Sequence, residues 1–325
     1  MPQEESSRRQ FITRFFRAGL ASLAASGTGL WLWSRNRRPH REASTLQVRS
    51  YLVSLPQTTP ALVTVTGGSP KRLVTEAMNA LGGMHRFISR GDIVVLKPNI
   101  GWDRVPRQAA NTNPEVVGKV VELCLEAGAK KVIVTDVSCN DARRCFKRSG
   151  IARSAESMGA TVILPEERKF RDFPINGELL SVWPIFTPIV EADKIINLPI
   201  VKHHNLCRAT LGLKNWYGIL GGRRNQLHQN IDLSIADLAA FIRPTLTILD
   251  AYRVLVSNGP QGGNMNDVKL MKSIAAGTDP VAIDAYGASL LGLRADQLPY
   301  LAIAQERGLG RTDFQGMNIK SIHLT

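Results

Sequence analysis

Residues 93–136 read IVVLKPNIGWDRVPRQAANTNPEVVGKVVELCLEAGAKKVIVTD, and this stretch decides the fold. Residues 93–97 are a short apolar run ending in Lys97-Pro98-Asn99, where a proline cannot continue the ladder of a central strand. Asn113 stands as an N-cap ahead of Pro114 and Glu115. Val116, Val117, Val120, Leu123 and Cys124 then recur at helical spacing until Gly128. Residues 131–136, KVIVTD, form a second buried-type strand. Strand, helix and strand of these lengths predict a βαβ unit, and so a sheet that is at least partly parallel.

The same signals extend outward. Residues 46–55 and 62–66 read as strands, and Ser69 and Pro70 open a helix that stops at Gly82-Gly83. Further on come a helix over 152–158, a strand over 161–164 and an irregular, proline-rich excursion over 170–188. A strand over 195–198 is broken by Pro199. Ile231, Ile235, Leu238 and Ile242 mark a helix that Pro244 terminates. A strand over 246–250 and a glycine-rich loop over 257–264 follow. Asp279-Pro280 caps a helix through residue 291, and residues 319–324 read as a closing edge strand. The expected fold is α/β, with a mainly parallel sheet, helices on both faces and two lobes. The first lobe covers 45–190; the second covers 191–325 and carries the KHH…LKN segment.

The chain has 325 residues, enough to bury a full core. Its net charge is +14, and the first 44 residues, with eight Arg and three Glu, hold +5 of it. The remaining excess of basic residues favours an anionic partner. No helix-turn-helix, zinc-finger or aromatic RNA-binding signature accompanies that charge, so a nucleic-acid partner is not expected. Arg8-Arg9 followed by Phe11, then a modestly apolar run from Ala18 to Trp33, resembles a twin-arginine export signal. Thr13 stands where that signal commonly has Lys, and no A-x-A cleavage site precedes the basic patch at 35–41. Residues 1–44 are thus expected to be a signal or an N-terminal anchor, with residues 11–33 as a membrane tether. The chain would be exported, periplasmic or anchored facing outward. Cys124, Cys139, Cys145 and Cys207 show no CxxC spacing, which disfavours an iron–sulfur cluster. A Cys139–Cys145 disulfide stays open for an exported chain.

Candidate chemistry collects at strand ends. Lys97, Asn99, Asp136, Lys202 and Asp250 each end or follow an apolar strand. Parallel strands would bring them to one rim, the ligand crevice of open α/β sheets. Residues 195–222, IINLPIVKHHNLCRATLGLKNWYGILGG, then concentrate cations, imidazoles and amides beside Trp216 and Tyr217. This stretch is expected to floor a cleft for an anionic small molecule. His204, Lys202 and Lys214 are the candidate catalytic residues, with His204 as acid/base group. Lys97, Asn99, Asn215, Thr210 and Gly259 are the candidate ligand-binding residues. A divalent metal on His204, His228 and Asp250 is the competing arrangement, two imidazoles and a carboxylate. Asp284, inside an apolar helical run, is a carboxylate with no evident sequence-level role.

The segments VVLKPN at 94–99, NLPIVKHHNLCRATLGLKNWYG at 197–218, LTILDA at 246–251, NGP at 258–260 and AGTDPVAIDAYGASLLGL at 276–293 resemble the domain-of-unknown-function 362 family. That prokaryotic group is sometimes joined to iron–sulfur ferredoxin modules. Its motif of Lys, any residue and His, followed by Lys-Asn, falls on Lys202, His204, Lys214 and Asn215, with His203 in the variable place. This chain carries no ferredoxin-type cysteine run. The resemblance implies no settled activity. At the level of layout the family is similar to nickel-dependent lactate racemase, a two-lobed enzyme using Lys and His near a nucleotide-derived cofactor. Two functions are carried forward. One is an exported or membrane-tethered enzyme that binds an anionic small molecule, with or without a metal or cofactor. The other is a non-catalytic cofactor-handling or electron-transfer accessory.

Overall fold

The computed structural model describes residues 47–325. The twin-arginine-like segment and the tether at 11–33 lie outside the described residues. The strands are β1 (Leu62–Thr66), β2 (Ile93–Pro98), β3 (Lys131–Val134), β4 (Thr161–Val162), β5 (Phe170–Pro174), β6 (Val182–Phe186), β7 (Lys194–Leu198), β8 (Ile200–His204), β9 (Arg208–Thr210), β10 (Leu246–Leu255), β11 (Val268–Gly277) and β12 (Ile319–His323). The helices are α1 (Pro70–Ala80), α2 (Pro114–Glu126), α3 (Ala142–Arg148), α4 (Ile151–Ser157), α5 (Thr187–Val190), α6 (Gly212–Asn215), α7 (Ile231–Phe241), α8 (Pro280–Leu290) and α9 (Pro299–Glu306).

The main sheet runs β12-β1-β11-β10-β7-β2-β3-β4, with β8 also paired to β10 and β9. Its centre is parallel: β2 pairs β3 and β7, and β10 pairs β7 and β8. β11 is antiparallel to both β1 and β10, and β9 is antiparallel to β8. The fold is therefore α/β with a mainly parallel, mixed sheet. Strands from both sides of residue 190 interleave within it, since β1 lies between β12 and β11 and β2 pairs with β7. A division into lobes at 190/191 is not what forms; ladder pairing ties the two halves into one sheet.

Alternation along the strands sends side chains to two apolar layers. Val94 and Leu96 join one core with Leu73 of α1, Val117 of α2 and Ile151 of α4. Val95 and Ile195 join the other with Ile235 of α7, Ile283 of α8 and Leu301 of α9. Helices thus cover both faces, and each fully buried aliphatic side chain contributes about 1.5–3 kcal/mol of transfer free energy. The expected caps form. Ser69, Asn113 and Asp279 accept backbone N–H bonds at the starts of α1, α2 and α8.

Three local readings are corrected. Residues 47–55 form no strand; Tyr51 is buried, and its hydroxyl donates to Val190 O at 2.7 Å. Residues 170–186 are not irregular: β5 and β6 form an antiparallel pair of their own, with Phe170 and Phe186 in register. A helix, α3, precedes the expected one, capped by Asp141, whose carboxylate accepts from Arg144 N at 2.9 Å. Among the described residues no helix is long and apolar enough to cross a membrane.

Candidate active site at the sheet rim

The C-terminal ends of β2, β3, β7 and β8 meet at one rim, and a cavity of about 240 Å³ opens there. Lys97, Asn99, Lys202, His204, Thr210, Lys214 and Asn215 all line it, as do Asp136 and His228. Residues distant in sequence therefore converge, because parallel strands end together. Asp250 and Gly259 do not line it.

The floor is a polar network whose valences can be counted. Lys97 Nζ meets Asp136 Oδ1 at 2.6 Å, Pro98 O at 2.9 Å and Asn215 Oδ1 at 3.0 Å. Two hydrogen bonds and an ion pair thus commit this ammonium to the floor. Burial lowers the Lys97 pKa, and Asp136 opposes that shift. Asn215 Oδ1 also accepts from Asn99 Nδ2 at 3.0 Å, while its Nδ2 donates to Lys97 O at 3.1 Å and Asn197 Oδ1 at 2.8 Å. Asn215 is fully satisfied. Lys97 and Asn215, expected to bind ligand directly, instead hold β2, β7 and α6 in place.

Free donors belong to their neighbours. Lys202 Nζ donates to Asn99 Oδ1 at 3.0 Å and Ala110 O at 2.6 Å, leaving one N–H. Asn99 keeps one amide N–H. Thr210 sits beside Lys202 as its register partner across β8 and β9. Lys214 Nζ lies 3.0 Å from the centroid of the Tyr217 ring. Burial pushes both Lys202 and Lys214 down to about 7. Arg224, which the sequence reading missed, adds a fixed positive charge. Its guanidinium donates to Val137 O at 2.6 Å, Tyr217 O at 3.0 Å and Ser138 O at 2.6 Å. It opens a 3-10 helix, Arg224–Asn230, just after Gly221-Gly222, where no periodic pattern marks it.

The two imidazoles are held in opposite tautomers. His204 Nδ1 accepts from Leu206 N at 3.2 Å and Cys207 N at 3.4 Å. That nitrogen is therefore unprotonated, and Nε2 carries the hydrogen. Burial, then Lys214 and Lys202, push His204 down to about 3, so it stays neutral. His228 Nδ1 lies 3.0 Å from Asn225 O, and a carbonyl can only accept, so here Nδ1 is the donor and Nε2 bears the lone pair. The rings stack, with centroids 6.2 Å apart.

The expected metal set does not assemble. Asp250 Oδ2 accepts from Asn113 N at 2.7 Å and Oδ1 from Tyr252 N at 2.9 Å, so this carboxylate braces the start of α2. The Nε2–H of His204 is a donor, and ligation there would forfeit two backbone bonds. Among the described residues no three of His, Cys, Asp and Glu converge as metal ligands, and all four cysteines are free thiols. As placed among the described residues, His204, His228 and Asp250 therefore do not make the expected metal set. Gly259 N donates to His203 Nδ1 at 3.1 Å, which pins the 257–264 loop rather than cradling an anion.

Asp284 acquires a role. Its carboxylate accepts from Gly212 N at 2.6 Å and Leu213 N at 2.8 Å, closing the start of α6 from beneath. That anchor aims Lys214 and Asn215 at the rim. Gly218 packs so tightly that a Cβ there would overlap Asp136 Oδ1 and Lys97 Nζ.

An α/β sheet with a cation-rich cavity at its parallel strand ends is the class of protein these observations define. Residues 94–289 match the family model described as Domain of unknown function (DUF362), and the chain belongs to that family. It is 28% identical over 243 residues to the thylakoid-associated protein sll1697 of Synechocystis, covering 72% of this chain and 74% of that protein. Among solved structures, the lactate racemase apoprotein from Thermoanaerobacterium thermosaccharolyticum aligns with a TM-score of 0.40 at 14% identity. That alignment covers 73% of this chain and 58% of the racemase, a likeness too slight to inform the site.

Proposed function

We propose that the rim cavity binds a small anionic molecule, a carboxylate or phosphate compound, and acts on it by acid–base chemistry. The observation that supports this reading most is the charge inventory. Lys202, Lys214 and Arg224 face a cavity whose lining carboxylate, Asp136, is already neutralised by Lys97. The free N–H groups of Lys202, Lys214, Asn99 and His204 are donors awaiting an acceptor. Neutral His204 would polarise a ligand oxygen without transferring its proton, and His228 Nε2 would take one. The base role expected of His204 thus passes to His228 in this reading.

Sulfate is a suitable probe, because its charge is constant across the pH range that matters. Its dissociation constant should rise with pH as Lys202 and Lys214 deprotonate, by about tenfold per lysine between pH 6 and pH 8. Binding should take up protons, seen as a buffer-dependent heat in calorimetry. Lys202→Met should weaken binding about tenfold at pH 6. Sulfate affinity that is flat with pH, or unaltered in Lys202→Met, would sink the proposal.

Reading residues 1–44 as a twin-arginine signal adds that the chain is exported. A reporter fused behind these residues should reach the periplasm, and Arg8→Lys with Arg9→Lys should block it. Export that survives the double substitution would remove this part of the reading.

A further inference from the structure

Lys214 differs from the other two cavity lysines. Lys97 makes two hydrogen bonds and an ion pair, and Lys202 makes two hydrogen bonds. Lys214 is 6% exposed and, among the described residues, its Nζ has no hydrogen-bond acceptor and no carboxylate partner. Its contact is the Tyr217 ring, which the Tyr217 hydroxyl fixes by bonding to Ser234 Oγ. The ring face favours the charged ammonium, but burial of an amine with no hydrogen-bond acceptor outweighs it, and the neutral form presents a lone pair at little cost. Burial pushes furthest toward the neutral form; Cys207 and Cys139 oppose it, and Arg224 and Lys202 add smaller pushes toward neutrality. Buried lysines with this behaviour act as nucleophiles toward carbonyl carbon.

We propose that Lys214 is a nucleophilic amine that condenses with the carbonyl carbon of a small oxo-acid, its carboxylate seated against Lys202. The inference rests on the anion-site reading above. The Lys214 nitrogen forms a bond to the carbonyl carbon, and the carbon–oxygen π pair moves to oxygen beside the His204 Nε2–H. One nitrogen proton passes through His228 Nε2 to that oxygen, giving a carbinolamine. His228 Nε2, having taken one proton from the ammonium to free the amine, returns a proton to the hydroxyl oxygen as the carbon–oxygen bond breaks. Water leaves, the nitrogen lone pair closes the carbon–nitrogen double bond, and a protonated imine with one hydrogen on nitrogen remains. No electron is gained or lost, and the sum is ammonium plus carbonyl going to iminium plus water.

The test uses the full chain at pH 7 with pyruvate or glyoxylate and sodium cyanoborohydride, followed by peptide mapping. One reduced adduct per chain is expected, on Lys214, forming roughly 10–100-fold faster than on surface lysines. At pH 7 an amine with a pKa near 7 is about half free base, against about 0.04% for an ordinary lysine, and lower basicity takes back part of that advantage. Sulfate should slow the labelling, and Lys214→Arg should abolish the adduct at that position. Should that variant fail to fold, the wild-type peptide map decides alone. Labelling spread evenly over surface lysines while sulfate still binds overturns the nucleophile and leaves the anion site standing. An adduct at Lys214 that sulfate does not slow upholds the nucleophile and removes the shared anion seat. Even labelling without sulfate binding overturns both.

Discussion

Asp136→Ala is expected to lower the unfolding free energy by about 3–5 kcal/mol, and Lys97→Met by a similar amount. The two groups form a salt bridge of 2.6 Å with side chains 1% and 3% exposed. Removing either leaves an uncompensated charge among buried groups. Asp136 Oδ2 also accepts from Ile100 N at 2.6 Å, so Asp136→Ala strips a second buried donor of its acceptor. Lys97 can soften its own loss by going neutral, since burial already lowers its pKa. The pair Lys97→Met with Asp136→Leu should recover most of the loss, because desolvation of both charges disappears together. Urea denaturation of the three variants gives the coupling. Single variants within about 1 kcal/mol of the parent would mean the ion pair does not organise the rim.

Asp284→Ala should cost about 2–6 kcal/mol, from about 1–3 kcal/mol for each buried N–H left without an acceptor. It should also weaken sulfate binding, although Asp284 does not line the cavity, because α6 would lose the anchor that aims Lys214. A pH signature separates this from general destabilisation. Burial raises the Asp284 pKa to about 7, with the two backbone bonds opposing. The native state therefore holds a proton that the unfolded chain releases between about pH 4 and that value. Stability contributed through this group falls as pH rises across that window, and this part of the slope should vanish in Asp284→Ala. Thermal midpoints from pH 4 to 8 check it; an identical slope in parent and variant would refute the role.

Much of this was legible from residues alone. Apolar runs bounded by Pro98 and Gly128, and caps such as Asn113 and Asp279, announce a parallel sheet because they act within a few residues of chain. The convergence of Lys97, Lys202, His204 and Lys214 follows from the rule that parallel strands end at one rim. Other facts depend on partners distant in sequence. That Asn215 is saturated, or that Asp250 braces a helix start, is decided by neighbours 18 to 137 residues away. The tautomers of His204 and His228 depend on which backbone groups face each ring. The β5–β6 pair was hidden by Pro174 and Pro184, which read as breakers, yet Pro174 closes the short ladder and Pro184 sits at its middle opposite Asp172. Arg224 opens a 3-10 helix that no hydrophobic rhythm marks.

Gly218 makes the rim intolerant of drift in a particular way. Its missing methyl leaves the volume that the ammonium and carboxylate of the buried pair occupy. Positions 97, 136 and 218 are thus a single evolutionary unit: an alanine at 218 becomes admissible only after the charges have shrunk to smaller groups. A route that begins with the alanine forces Asp136 Oδ1 and Lys97 Nζ out of their positions, so shape favours replacing the charges first.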